Sequence, residues 1–130
     1  KKGLAEDIQA QIEELEQASA GFTGLNLQIA LNYGGRDEIV RAAERFFQTA
    51  GTKEELTEEI FADYLDTAGI PDPELLIRTG GESRLSNYLL WQAAYSEIYV
   101  TDVFWPDFGA EELTRAIDFY QTRNRRFGGE

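Results

Sequence analysis

With 130 residues and 42% apolar content, the chain can bury one core, while 12 Lys and Arg against 24 Asp and Glu give a net charge of −12 that repels polyanions such as nucleic acid. The absence of Cys and His excludes disulfides, thiolate and imidazole metal sites, cysteine nucleophiles and histidine bases. No apolar run is long enough to span a membrane and no secretory signal is visible, so a cytoplasmic protein is expected.

The chain opens on Lys1-Lys2-Gly3 and contains no Met, which predicts that an N-terminal portion of the native protein is missing from it. Leu4, Ile8, Ile12 and Leu15 recur at helical spacing and predict a helix over roughly 4–19, stopped by Gly21. Leu25, Leu27, Ile29 and Leu31 then alternate with polar or small residues, the pattern of a strand with one apolar face. After Gly34-Gly35 a second helix is expected, with Ile39, Val40, Ala43 and Phe47 as its buried stripe.

Thr57 followed by Glu58-Glu59 predicts an N-cap and a short helix to about Ala68. Beyond Pro71-Asp72-Pro73, the run Leu75-Leu76-Ile77 predicts a buried strand of a parallel sheet. Residues 88–95 are expected to be helical, and Ile98 to Val103, rich in β-formers, to make a third strand ended by Trp105-Pro106. Leu113, Ala116, Ile117 and Tyr120 mark a last helix, followed by Arg123, Arg125, Arg126 and Gly128-Gly129. Strands alternating with helices predict an α/β fold of βαβ units with a parallel sheet and flanking helices.

In such sheets ligands gather beyond the carboxyl ends of the strands. Two expected strand ends carry Gly-Gly beside an arginine: Asn32-Tyr33-Gly34-Gly35-Arg36 and Arg78-Thr79-Gly80-Gly81-Glu82. In the second, Arg84 and Ser86 follow closely, and Ser86 falls near the start of the expected 88–95 helix. Paired guanidinium donors, a hydroxyl and backbone amides at a helix start would suit a diphosphate. The plainer reading is a capped helix with surface arginines paired to Glu82 or Glu97. Glu97 could hold Mg²⁺ against a diphosphate or be a solvated carboxylate. Trp91, Tyr95, Tyr99 and Trp105 read as core or interface aromatics.

The run from Asp72 to Glu82, continued by Arg84-Leu85-Ser86-Asn87-Tyr88-Leu89-Leu90-Trp91-Gln92, closely resembles the signature of bacterial cis-prenyltransferases, or isoprenyl transferases. The likeness extends to Asn32–Arg36, Tyr95-Ser96-Glu97, Thr101–Phe108 and the closing Arg125–Gly129, nearly the whole chain and in the family's order. The resemblance implies an incomplete α/β domain, the C-terminal portion of one prenyltransferase domain over residues 1–130. It implies condensation of isopentenyl diphosphate with an allylic diphosphate such as farnesyl diphosphate to a Z-polyprenyl diphosphate, with undecaprenyl diphosphate the expected product.

Carried over by position, Arg78, Arg84 and Ser86 match residues that hold the isopentenyl diphosphate group, with Leu85 in the same segment. Glu97 matches a Mg²⁺ ligand, and Arg126-Phe127-Gly128 a motif that reaches across a homodimer. The family's Met-Asp-Gly-Asn-Gly-Arg motif with its catalytic Asp has no counterpart here, and Ser83 stands where some members carry His. No catalytic residue is therefore assigned, and this chain alone is expected to be inactive, needing a homodimer partner or the missing N-terminal half. The alternative is a non-catalytic subunit supporting an active enzyme. A greasy product implies at most peripheral membrane contact.

Overall fold

Helix periodicity and strand propensity are realised unevenly along the chain. The computed structural model describes residues 3–49 and 55–123, and they divide into two compact units at the Tyr33–Gly34 boundary. The first unit holds α1, Glu6–Ser19, whose opening turn carries Glu6 and Asp7 at the positive end of the helix dipole. Its last turn is tied by Ser19 Oγ donating to the Leu15 carbonyl at 2.8 Å.

The strand expected over 25–31 does not form: no ladder pairs with these residues, and Leu25 is 90% exposed, with Leu27, Ile29 and Leu31 also open. A strand exists only through a neighbour's backbone groups, and none is present among the described residues. The alternation instead borders a concavity of about 810 Å³ lined by Leu4, Ile12 and Leu15 with Leu27, Ile29 and Leu31.

In the second unit, α2 spans Gly35–Thr49 and buries Glu38, Ala42 and Phe46, one residue set per turn. The stripe is rotated from the expected one. Val40 and Phe47 are exposed because Ala42 and Phe46 face the core instead. That core gathers Ala42, Phe61 and Leu65, flanked by Ile39, Ala43, Tyr64 and Trp91. Phe46 meets Tyr64 edge-on at 5.6 Å, and Trp91 packs on Phe61 at 4.7 Å between ring centres.

Thr57 caps α3, Glu58–Ala62, by accepting from Ile60 N at 3.3 Å. The same hydroxyl and the backbone amide of Glu59, the latter foremost, hold the Glu59 carboxyl below its usual range. The helix ends earlier than expected and continues as turns to Gly69. A bidentate contact from Arg41 to Asp66, at 2.9 and 2.6 Å, staples α2 to those turns.

Strands β1, Leu75–Thr79, and β2, Glu97–Thr101, pair in parallel from Leu75 opposite Glu97 to Thr79 opposite Thr101. The expected 88–95 helix is replaced by irregular turns. Leu89 has φ +44°, following left-handed Ser86 and Asn87, and a right-handed helix cannot start through that conformation. A 3₁₀ turn at Trp105–Asp107 accommodates Pro106. Helix α4, Ala110–Gln121, then packs along β2, with Phe119 on Tyr99 at 5.3 Å.

Candidate functional site

The carboxyl end of β1 delivers Arg78, and the chain then turns through Gly80 and Gly81 at φ +84° and +75°. Only glycine takes that conformation without strain. Their amides do not face solvent as free donors. Gly80 N donates to the Val103 carbonyl at 3.0 Å and Gly81 N to Thr101 at 2.9 Å, lashing the ends of β1 and β2 together. The backbone share of the expected anion cradle is thus already committed, and no helix begins at Ser86 to supply a dipole.

Part of the expected side-chain share lies together. Arg78, Arg84 and Leu85 line one concavity of about 140 Å³, with Glu82 and Ser83 at its side and Leu76, Ile98 and Val100 forming apolar walls. Arg78 Nε is buried and has no hydrogen-bond partner among the described residues. A buried N–H donor of a permanent cation left unpartnered is costly, so it marks a place where an acceptor is expected. Arg84 is exposed and pairs with Glu82, as the plainer sequence reading anticipated. Such a surface pair is weak and exchangeable against a polyanionic ligand.

Two expected site residues are not brought to this concavity. Ser86 does not line it and stands exposed with φ +49°. Glu97 opens β2 opposite Leu75, whereas Arg78 lies opposite Val100. Three residues at roughly 3.3 Å each put about 10 Å of strand between Glu97 and the level of Arg78. Its carboxylate faces Arg123 Nε at 3.6 Å. Among the described residues no three carboxylates converge on a common point. Glu97 is therefore not brought beside Arg78 and Arg84. Arg125, Arg126, Phe127 and Gly128-Gly129 lie outside the described residues, as do Lys1 and Lys2.

Two supports escaped the sequence reading. Asn87 caps the start of α2: its carbonyl accepts from Gly35 N at 2.7 Å and its Oδ1 from Arg36 N at 2.9 Å. Gln92 Nε2 reaches the buried Glu38 carboxylate at 3.1 and 3.2 Å and Thr67 Oγ1 at 3.0 Å. Glu38 Oε1 also accepts from Asp66 N at 2.8 Å. The usable signal was Asn87 itself, since Asn both tolerates the left-handed region and mimics a backbone acceptor. Nothing local marks Glu38 as buried in a helix rich in charged residues.

A family model described as "Putative undecaprenyl diphosphate synthase" matches residues 1–128. An isoprenyl transferase of Chlamydia trachomatis is 50% identical over 129 residues, covering 96% of this chain and 51% of that relative. The (2E,6E)-farnesyl-diphosphate-specific ditrans,polycis-undecaprenyl-diphosphate synthase of Micrococcus luteus is 49% identical over 130 residues, covering 97% and 52%. Lavandulyl diphosphate synthase of Lavandula x intermedia, solved with dimethylallyl diphosphate, superposes with a TM-score of 0.93 at 37% identity, over 99% of this chain and 57% of that one. The chain spans about half the length of the curated relatives it matches. With the family match running across both units and the whole β1–Gly-Gly–arginine segment, the chain belongs to the undecaprenyl diphosphate synthase family of prenyltransferases.

Proposed function

We propose that this chain is the C-terminal portion of a cis-prenyltransferase domain and supplies the part that binds isopentenyl diphosphate. In the full reaction an allylic diphosphate such as farnesyl diphosphate loses its diphosphate as its C–O bond breaks. The isopentenyl alkene forms the new C–C bond, and loss of a proton leaves a Z double bond. Repetition gives a polyprenyl diphosphate, with undecaprenyl diphosphate the product favoured by the Micrococcus relative's name.

The observation that carries this reading is the orphaned buried donor of Arg78 beside Arg84 in a small concavity. Two guanidinium groups there would orient a diphosphate, and so its alkene, by proximity. Ser86, one residue past Leu85, is assigned as an additional donor reached when a ligand orders the loop. Mg²⁺ is the family's expected metal, and Glu97 is the carboxylate proposed for it. Because Glu97 is remote from Arg78, that metal would draw further ligands from outside the described residues. A homodimer or an N-terminal remainder would supply them together with the allylic site. Alone, the chain is expected to show no turnover. Retention of both arginines argues against a purely supporting subunit.

Calorimetric titration of the 130-residue chain with inorganic pyrophosphate tests the site. Binding is expected in the parent, lost or weakened at least tenfold by Arg78→Leu and by Arg84→Ala, each removing a charge-assisted contact of about 1.5–3 kcal/mol. Undiminished binding by folded Arg78→Leu would refute the assignment.

A further inference from the structure

We propose that Asn87 is a positioning residue that holds the Arg84-Leu85 segment in its ligand-binding conformation by clamping the loop to the start of α2. The inference rests on the diphosphate reading above and adds a residue to it. Its ground is a juxtaposition across 51 positions of sequence: Asn87 Oδ1 accepts from Arg36 N at 2.9 Å, while the Asn87 carbonyl accepts from Gly35 N at 2.7 Å. A helix start offers unpartnered amides that an anion could use. Here two of them are spent on the loop, so the end of α2 acts as an anchor for the site instead of as the site.

The anchored segment is strained in a way that needs such an anchor. Ser86, Asn87 and Leu89 have φ of +49°, +64° and +44°, and outside this stretch only Asn32 among the described non-glycine residues is left-handed. Left-handed backbone at Ser and Leu persists only where surroundings over-determine it. The surroundings are tight. A Cβ at Gly34 would meet Asn87 Nδ2 at 2.8 Å, and one at Gly35 would meet Leu90 Cγ at 2.9 Å and Leu90 N at 3.1 Å. The Gly34-Gly35 pair therefore exists so that this loop can lie directly on α2, unlike Gly80-Gly81, which exists for its backbone angles.

Residues 82–86 are thus suspended between two fixed points. On one side Gly80 and Gly81 are tied to the end of β2; on the other Asn87 is tied to α2, backed by Gln92 on the buried Glu38. Freeing the second point would let Arg84 and Leu85 move off the concavity while leaving Arg78, fixed in β1, in place.

The pyrophosphate titration of the 130-residue chain reads this directly, with thermal unfolding and amide exchange at Arg36 run in parallel. Asn87→Gly keeps the left-handed backbone and the main-chain acceptor but removes Oδ1. It is expected to weaken pyrophosphate binding about five- to tenfold and expose the Arg36 amide to exchange, with the unfolding transition still cooperative. Asn87→Asp keeps an acceptor at a helix start that favours negative charge, and is expected to retain Arg36 protection and most of the affinity. If folded Asn87→Gly binds as the parent does while Arg84→Ala does not, the clamp is refuted and the diphosphate site stands. If Asn87→Gly fails to fold, Asn87→Asp decides: protected Arg36 with binding retained supports the clamp, and protected Arg36 with binding lost overturns it. A parent chain that binds no pyrophosphate removes the site and this inference together.

Discussion

Arg78 sets stability against the diphosphate binding proposed for it. Its buried Nε, without a partner among the described residues, lowers stability in the ligand-free chain, so the same Arg78→Leu substitution that is expected to lose or weaken pyrophosphate binding is expected to raise stability or leave it unchanged within about 1 kcal/mol, a split readable by urea denaturation beside the titration. The glycines make a second residue-scale case. Alanine in place of Gly81 must take φ +75°, which costs about 1–2 kcal/mol, whereas the carboxylate it would touch belongs to exposed Asp102 and can swing aside. Gly35 has no such backbone demand, yet its Cβ would press on the Leu90 backbone in a buried place. Overpacking of that kind costs about 1–3 kcal/mol, so Gly35→Ala is expected to destabilise the fold although alanine is the better helix former, as the urea midpoint would show. A Gly35→Ala variant as stable as the parent would mean the loop does not lie against α2.

Between elements, the α2 staple fixes the acid behaviour. The bond from Arg41 holds the Asp66 carboxyl below its usual range, and Asp66 in turn raises the Arg41 guanidinium. A lowered folded-state value means that the stabilisation is present above the ordinary carboxylate range and fades as pH falls through that lowered value. Asp72 runs the other way. Burial raises its carboxyl, so it disfavours the folded chain once ionised above its raised value. Asp66→Asn is therefore expected to lower stability at pH 7 and flatten its decline as pH falls below the ordinary carboxylate range, seen in urea midpoints taken across that fall. An unchanged slope would show that the staple carries no weight. The same scale explains the loss of the predicted 88–95 helix, since its apolar spacing survives but the left-handed Leu89 and the pull of Gln92 towards Glu38 turn the chain instead.

Across the whole molecule, the unusual feature is apolar surface. Leu25, Leu27, Ile29 and Leu31 lie open along the first unit, as do Phe104 and Trp105 in the second. Contiguous exposed apolar side chains of this kind favour association. The chain is expected to self-associate at high micromolar concentration and to bind a hydrophobic dye. Leu27→Lys with Ile29→Lys should reduce both, as gel filtration with an intact-mass check and dye fluorescence would report. A parent that is monomeric and dye-silent would show that this surface is covered. No helix among the described residues is long and apolar enough to cross a membrane, so the exposure does not mark a helical span.

Much of the chain was legible from local chemistry. The 3.6 period gave α1, α2 and α4, the Thr57 cap gave α3, and β-rich runs gave β1 and β2, because these features depend on each residue's own propensity and near neighbours. The motif from Arg78 to Ser86 likewise pointed to the family. What local chemistry could not decide was anything needing a distant partner. The 25–31 alternation specifies a strand face but cannot provide the strand beside it. The stripe of α2 turned by a residue because Ala42 and Phe46 met Phe61 and Tyr64. Glu97, 13 positions beyond Arg84, came to rest at the other end of a strand from Arg78, and Asn87 found its partners 51 and 52 residues away. Period and propensity act over one turn or one pleat; register, burial and capping across the fold are set by which surfaces meet, and only the packed chain fixes those.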